Sequence, residues 1–376
     1  MSVVVGILKE TAAKETRVAV VPEIASKLKT LGVRVLIERG AGASANFPDA
    51  LYTDAEFSDA ATILASADIL LKVQPPSVTE VAALKKGAVV IGFMQAYARP
   101  DLVLSLKEHG ITSFAMELVP RISRAQSMDA LSSQASVAGY KAALIAADTL
   151  EKFMPMLTTA AGTIRPAAVL VLGAGVAGLQ AIATAKRLGA VVEAYDVRSA
   201  TKDQVKSLGA KFVETGVFAE GAGGYARELT PAETARQQEV LDARIAASDA
   251  VISTASVPGR PAPRLISRAA ALRMRPGSVI VDVAAEQGGN CELTKAGETV
   301  VHNGVKIVGP LNLPASLPYH ASEMYSRNLF NLLKPAIPAG ELAIDWSDEV
   351  FAGALLTREG EIKHAASRAI LEEPKT

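Results

Sequence analysis

The chain has 376 residues, 49% of them hydrophobic and 21% charged, which is enough apolar material for two domains of ordinary size. Lys plus Arg and Asp plus Glu both number 39, so the formal net charge is zero; this argues against a nucleic-acid footprint or a basic membrane-binding face. A single cysteine, Cys291, rules out an intrachain disulfide and a cysteine-built zinc cluster.

Met1–Leu8 shows no basic n-region followed by a long apolar core, so a cytosolic chain without a signal peptide is expected. In chain order, Val3–Leu8 reads as a strand and Pro22–Leu31 as a helix opened by its proline. Val33–Ile37, Ile69–Val73, Ala88–Phe93 and Thr112–Met116 read as further strands, with helical patterns at Val78–Leu84 and Leu102–His109. Strands alternating with helices predict a parallel sheet with right-handed crossovers.

Met128–Phe153 predicts one long helix, because Leu131, Val137, Tyr140, Leu144 and Ala147 recur near every 3.6 residues. Arg165-Pro166 breaks the chain before a second unit. That unit has strands at Ala168–Leu172, Val191–Asp196, Lys211–Val213, Ala250–Thr254, Ser278–Asp282 and Lys306–Val308, the count of a doubly wound sheet. Beyond Pro310, Pro314 and Pro318, a helix over His320–Leu333 is expected to return to the first unit. The expected fold class is therefore α/β: two Rossmann-like domains with parallel sheets, separated by a cleft and joined by long helices. The expected division is 1–135 plus about 320–376 for one domain and about 136–319 for the other.

Ala167–Ala185 is the most membrane-like stretch, approaching the roughly 20 apolar residues that a span needs. It contains Gly173, Gly175 and Gly178, however, and divides into a β-rich run and an alanine-rich helix, so a buried strand, turn and helix are expected instead. The glycines form a dinucleotide fingerprint. The first permits a tight turn, the second lets backbone approach a pyrophosphate, and the third lets helix and strand pack closely. The helix N-terminus then faces the phosphates.

Roughly 20 residues on, Asp196 ends the next strand. A carboxylate there accepts from a ribose 2′-OH and repels a 2′-phosphate, which points to NAD(H); Arg198 nearby could instead accommodate that phosphate. Glu220-Gly-Ala-Gly-Gly224-Tyr225 suggests either a flap that closes over a ligand or a surface insertion. His109, His302, His320 and His364 show no spacing that suggests a relay or a metal site.

Three segments together resemble a known superfamily, that of alanine dehydrogenase and the pyridine nucleotide transhydrogenase α subunit. They are Met116-Glu-Leu-Val-Pro-Arg-Ile-Ser-Arg-Ala-Gln-Ser-Met-Asp-Ala-Leu-Ser-Ser-Gln134, the glycine fingerprint with Asp196-Val197-Arg198, and Val281-Asp-Val-Ala-Ala-Glu-Gln-Gly-Gly-Asn-Cys291. Gly6-Ile-Leu-Lys-Glu10, Arg17-Val-Ala-Val20 and Pro22 are similar to its N-terminus. The Arg121–Asp129 stretch is the most specific, and looks like the NAD-binding α1 subunit (domain I) of proton-translocating transhydrogenase.

The resemblance implies that Arg121, Gln126, Asp129 and Ser132 hold the nicotinamide end in the interdomain cleft. Each can pair with a carboxamide, which offers one acceptor and two donors. Taken alone, the same residues read as a polar helix start with Asp129 complementing the dipole. By the same implication Val176, Gly224 and Gln237 are adenosine-side contacts, and Tyr225 belongs to the flap. Alanine dehydrogenases carry a catalytic His after the fourth strand, where this chain reads Phe93-Met94-Gln95-Ala96, and an Asp where it has Glu286. Arg17 and Lys72, which match their pyruvate-binding positions, are present; by themselves Lys72 ends a strand and Arg17 pairs with a surface carboxylate.

Oxidising an alcohol or amine moves a proton as well as a hydride and needs a positioned acid or base. Transfer between two nicotinamide rings needs only their close alignment. The resemblance thus implies an NAD(H)-binding subunit of a proton-translocating NAD(P) transhydrogenase, an oxidoreductase and translocase. It would pass a hydride from NADH to NADP+ on a partner subunit. Its partners would be a membrane-embedded subunit and an NADP-binding β subunit; the chain would be a homodimer, cytoplasmic and peripheral to the inner membrane. A soluble amino-acid dehydrogenase of the alanine type and a non-catalytic NAD-sensing module are the alternatives.

Overall fold

Seventeen short strands, most of them buried on both faces, form two large sheets and one hairpin among the described residues. The computed structural model describes residues 2–219, 227, 229–257 and 259–372. In chain order the first six strands are β1 (Val4–Ile7), β2 (Arg34–Glu38), β3 (Glu56–Ser58), β4 (Ile69–Leu71), β5 (Val89–Gly92) and β6 (Thr112–Ala115). The next group comprises β7 (Leu157–Thr159), β8 (Gly162–Ile164), β9 (Ala168–Leu172), β10 (Val191–Tyr195), β11 (Lys211–Phe212), β12 (Ala250–Ser253), β13 (Val279–Asp282), β14 (Thr299–His302) and β15 (Val305–Val308). The C-terminal stretch adds β16 (Leu355–Arg358) and β17 (Glu361–Ile362).

The chain divides into two compact units: Met1–Gln134 with Ala315–Thr376, and Ala135–Pro314. The sheet of the first unit has the order β17-β16-β6-β5-β4-β1-β2-β3, with β1 to β6 parallel. The sheet of the second has the order β11-β10-β9-β12-β13-β15-β14. Both therefore contain the doubly wound order, in which the chain starts at the centre, winds to one edge, then returns and winds to the other. Its switch points lie between β1 and β4 and between β9 and β12.

Alternation within each strand divides the apolar side chains between two cores. In the first unit Val5, Ile7, Ile69, Leu71 and Ile91 pack on one face, and Val4, Leu70 and Val90 on the other. In the second, Val169, Val171, Ile252 and Val281 oppose Leu170, Leu172, Val251 and Ile280. Burial on both faces makes such strands read as continuous apolar runs.

The parallel-sheet expectation needs correcting at the edges. β14 pairs antiparallel with β15, and β16 pairs antiparallel with both β6 and β17. The β14–β15 turn is Asn303-Gly304, both at positive φ, the dipeptide a type I′ hairpin requires. Edge strands are freed from the crossover that a parallel strand demands, so a tight hairpin suffices there.

The long helix runs over Ala130–Thr149, shorter than expected at its C-terminal end. Its buried stripe is Val137, Ala138, Ala142, Ala143 and Ala146, with Leu131 and Leu144 half-buried, while Tyr140 is 41% exposed. Of the expected positions only Tyr140 lies on the wrong face, and small residues make up most of the stripe because they admit a closely packed neighbour. The membrane-like stretch is a strand, a turn and the helix Val176–Arg187. Among the described residues no helix is long and apolar enough to cross a membrane.

Candidate functional site

The second unit carries the glycine fingerprint at its topological switch point, where open α/β sheets bind ligands. Gly173 leaves β9 at φ +93°, and its N–H donates to Tyr195 O at 2.8 Å. A Cβ there would lie 2.8 Å from Thr254 Oγ1 and 3.0 Å from Ala255 N, so both the conformation and the neighbouring turn after β12 demand glycine. A Cβ on Gly178 would lie only 1.8 Å from Gly173 O, which shows how closely the helix packs on the turn. Gly175 caps the helix, and the nearest atom to a Cβ there is Arg198 Nη2 at 3.8 Å. Backbone N–H groups at the helix start are thus left approachable, as a phosphate group requires.

Asp196 follows β10 and is only 6% exposed. Its Oδ2 accepts from Ala174 N at 2.7 Å, which ties the strand end to the glycine turn. Arg198 closes on the same carboxylate: its backbone N and Nε donate to Oδ1 at 2.9 and 2.8 Å, and Nη2 donates to Oδ2 at 2.7 Å. Val176 is 41% exposed at the helix start, and Val197 is partly buried. Gln237 is buried, and its Nε2 donates to Tyr195 Oη at 2.7 Å, where burial raises the phenol pKa. Gly224 and Tyr225, and the whole 220–226 glycine segment, lie outside the described residues.

The segment 121–134 belongs to the first unit, and it is held down residue by residue. Arg124 forms a bidentate pair with Asp348 at 2.7 and 2.8 Å. Ser127 O accepts from Asn328 and Asn331, and Ser133 Oγ donates to Asn328 Oδ1. Ala125 and Met128 are buried. This anchoring leaves Arg121 and Gln126 at the surface of the segment. Asp129 and Ser132 meet directly: Ser132 N donates to Oδ1 at 2.8 Å and Ser132 Oγ to Oδ2 at 2.6 Å. The pair therefore caps the long helix, as expected of a polar helix start.

Arg17 and Lys72 lie at the β1/β4 switch point. Arg17 is 4% exposed and paired in a fork with Glu15, itself buried, not with a surface carboxylate; its Nη1 donates to Gln134 Oε1. Lys72 follows β4, is 1% exposed, and lies 3.4 Å from Glu10 and 3.2 Å from Glu80. Burial raises the pKa of Glu10 against the pull of Lys72. Nearby, Gln95 adopts φ +51°, with Glu117 accepting from Met94 N and Ala96 N on either side. Burial raises the Glu117 pKa as well.

In the third family-like segment Glu286 accepts from Asn312 N at 2.5 Å. Two further residues there organise the site and escaped the sequence reading. Asp282, fully buried, accepts from Ser253 Oγ, Ala284 N, Cys291 N and Thr294 Oγ1. Asn290 Nδ2 donates to Ala255 O and Pro263 O, both at 2.8 Å, and so spans the loop after β12. The doubly wound order itself signals that this loop adjoins the glycine turn; nothing in the spacing signals Asn290. Cys291 is buried and its thiol pKa is pushed up to about 11 by that burial, so it is no nucleophile. No group of His, Cys, Asp and Glu able to hold a metal occurs among the described residues.

Family models match nearly the whole chain: "Alanine dehydrogenase/PNT, N-terminal domain" over residues 6–138 and "Alanine dehydrogenase/PNT, C-terminal domain" over 142–365. The chain is 47% identical to an NAD(P) transhydrogenase subunit alpha polypeptide of Rhodospirillum rubrum, covering 96% of this chain and 98% of that one. It is 30% identical to the alanine dehydrogenase of Bacillus subtilis, over 84% of this chain and 80% of that one. The crystal structure of transhydrogenase from Sinorhizobium meliloti superposes with a TM-score of 0.87 at 45% identity, covering 96% and 99% of the two chains. With both domain families matched and relatives aligned almost end to end, this chain belongs to the alanine dehydrogenase/PNT family.

Proposed function

We propose that this chain is the NAD(H)-binding subunit of a proton-translocating NAD(P) transhydrogenase, and that it presents NADH to NADP+ held on a partner subunit. The observation that carries the reading is the almost end-to-end likeness to a protein named as belonging to the alpha subunit of an NAD(P) transhydrogenase. The geometry supports it. The turn at Gly173, the open approach at Gly175 and the close contact at Gly178 fit a dinucleotide pyrophosphate. Bound there, the coenzyme supplies the hydride.

The residues of this chain bind and orient. The helix start at Val176 faces the phosphates, Asp196 takes the ribose hydroxyl in exchange for one of its bonds to Arg198, and Arg121, Gln126, Asp129 and Ser132 address the carboxamide of the nicotinamide end. Asp129 and Ser132, already bonded to each other, form a fixed pair for that task. Because two nicotinamides exchange a hydride without a net proton, no acid or base is required of them. The membrane-embedded subunit, the NADP-binding β subunit, a homodimeric state and a peripheral position at the inner membrane all follow from this reading. An alanine-type dehydrogenase is disfavoured because the turn at Phe93–Ala96, held by Glu117, presents Gln95 and no histidine.

Mixing the purified chain with an NADP-binding transhydrogenase domain and following hydride exchange tests the proposal. Exchange dependent on both components is the expected result. Tight NADH binding without exchange would refute it, and turnover of NADH, pyruvate and ammonia by the chain alone would establish the dehydrogenase instead.

A further inference from the structure

A carboxylate at the end of the second strand is ordinarily credited with selecting NAD by repelling a 2′-phosphate. Here that carboxylate does not stand alone. Asp196 Oδ1 takes the backbone N and Nε of Arg198, while Oδ2 takes Nη2 of Arg198 and the N–H of Ala174. A carboxylate offers about four lone-pair sites, so these bonds saturate it. The pair has no net charge, and its cation lies outermost: the Arg198 side chain is 24% exposed against 6% for Asp196. Nη2 also lies 3.8 Å from where a Cβ of Gly175 would be, beside the helix N-terminus. A guanidinium fork there has the shape and charge of a phosphate ligand, yet it is occupied.

We propose that Asp196 enforces NAD selectivity by holding Arg198, so that Arg198 is a latent ligand for a 2′-phosphate that loss of the Asp196 charge would release. Two consequences separate this from simple repulsion. Removing the carboxylate does more than lower a barrier to NADP(H), since it frees a cation that binds it. Removing Arg198 as well cancels that gain, whereas simple repulsion would leave the gain intact. The inference rests on the coenzyme reading proposed above.

The test uses the full chain and titrates NADH and NADPH by the fluorescence of the reduced nicotinamide. Asp196→Asn keeps an oxygen for Ala174 N but turns an amide towards the fork. It should bind NADPH at least about tenfold more tightly than the wild type does, while its NADH affinity falls. Asp196→Asn/Arg198→Gln should lose the NADPH gain. Asp196→Ser, smaller and unable to hold the fork, should repeat the gain if Asp196→Asn fails to fold. No gain in either single variant overturns the proposal, and so does a gain that survives in the double variant. If the wild type binds neither nucleotide, the coenzyme reading falls and this inference with it; if it binds NADH and only the variants disappoint, the inference alone falls.

Discussion

Substituting alanine for Gly178 and for Gly175, three residues apart on one helix, separates packing from ligand access. The added methyl of Gly178→Ala would lie 1.8 Å from Gly173 O, whereas ordinary contact begins near 3.4 Å, so helix and turn must part by about 1.6 Å. Overpacking of this kind costs about 2 kcal/mol. At about 3 °C per kcal/mol for a unit of this size, Tm should fall by roughly 6 °C. The same shift carries the helix N-terminus away from the phosphates. NADH affinity should therefore fall as well, by at least about tenfold, or roughly 1.4 kcal/mol.

Gly175→Ala meets no atom nearer than 3.8 Å, and the residue already has φ −75°. Its Tm should stay within about 1 °C of wild type, while NADH affinity drops at least tenfold, roughly 1.4 kcal/mol, because the methyl occupies the approach to the helix start. Thermal melting and NADH fluorescence titration measure both quantities. The reasoning is refuted if Gly178→Ala melts and binds like the wild type, or if Gly175→Ala loses as much Tm as Gly178→Ala.

Three further outcomes follow from the geometry. Asp282→Asn replaces a buried fourfold acceptor with a group that offers two hydrogens to existing donors. Stability should drop by about 3 kcal/mol, and an unchanged urea midpoint would show that the network is dispensable. Partial burial lowers the His364 pKa from 6.5, so the unfolded chain gains the proton first as pH falls. The stability conferred by neutral His364 is therefore present above about pH 6.5 and lost as pH falls through the lower folded-state value. His364→Gln should accordingly lose less Tm than wild type between about pH 7.5 and pH 5.5, and identical losses would contradict this. Finally, Arg121→Ala and Gln126→Ala should slow hydride exchange in the reconstituted mixture more than they weaken NADH binding; a loss confined to affinity would remove them from the nicotinamide end.

Much of the architecture was legible locally. The unbroken apolar run Ala168–Leu172 marked a buried parallel strand because both of its faces meet a core. The glycine spacing marked the turn after it, since no other residue tolerates the contacts at Gly173 and Gly178. Asn303-Gly304 has the composition of a hairpin turn, but the strands expected from the sequence include none at β14, so the antiparallel edge came from the structure. The three-residue β3 was not legible, because Glu56-Phe57-Ser58 has no apolar run and forms only by lying on the edge beside β2.

What the amino-acid order determined by itself was the set of elements and the chemistry available at their ends: glycines where backbone must approach, and an acid at the end of β10. What only the tertiary structure decided was which partners those groups meet. Tyr140 faces outward because alanines admit closer packing. Lys72 is taken by Glu10 and Glu80, which the fold brings to it from separate parts of the chain, while Arg17 is taken by Glu15 two residues away. Arg198, adjacent in sequence and ambiguous there, closes on Asp196 and leaves that carboxylate no vacant acceptor. Sequence spacing sets which partners are within reach, but hydrogen bonds and ion pairs are satisfied by three-dimensional neighbours, and burial makes that satisfaction obligatory.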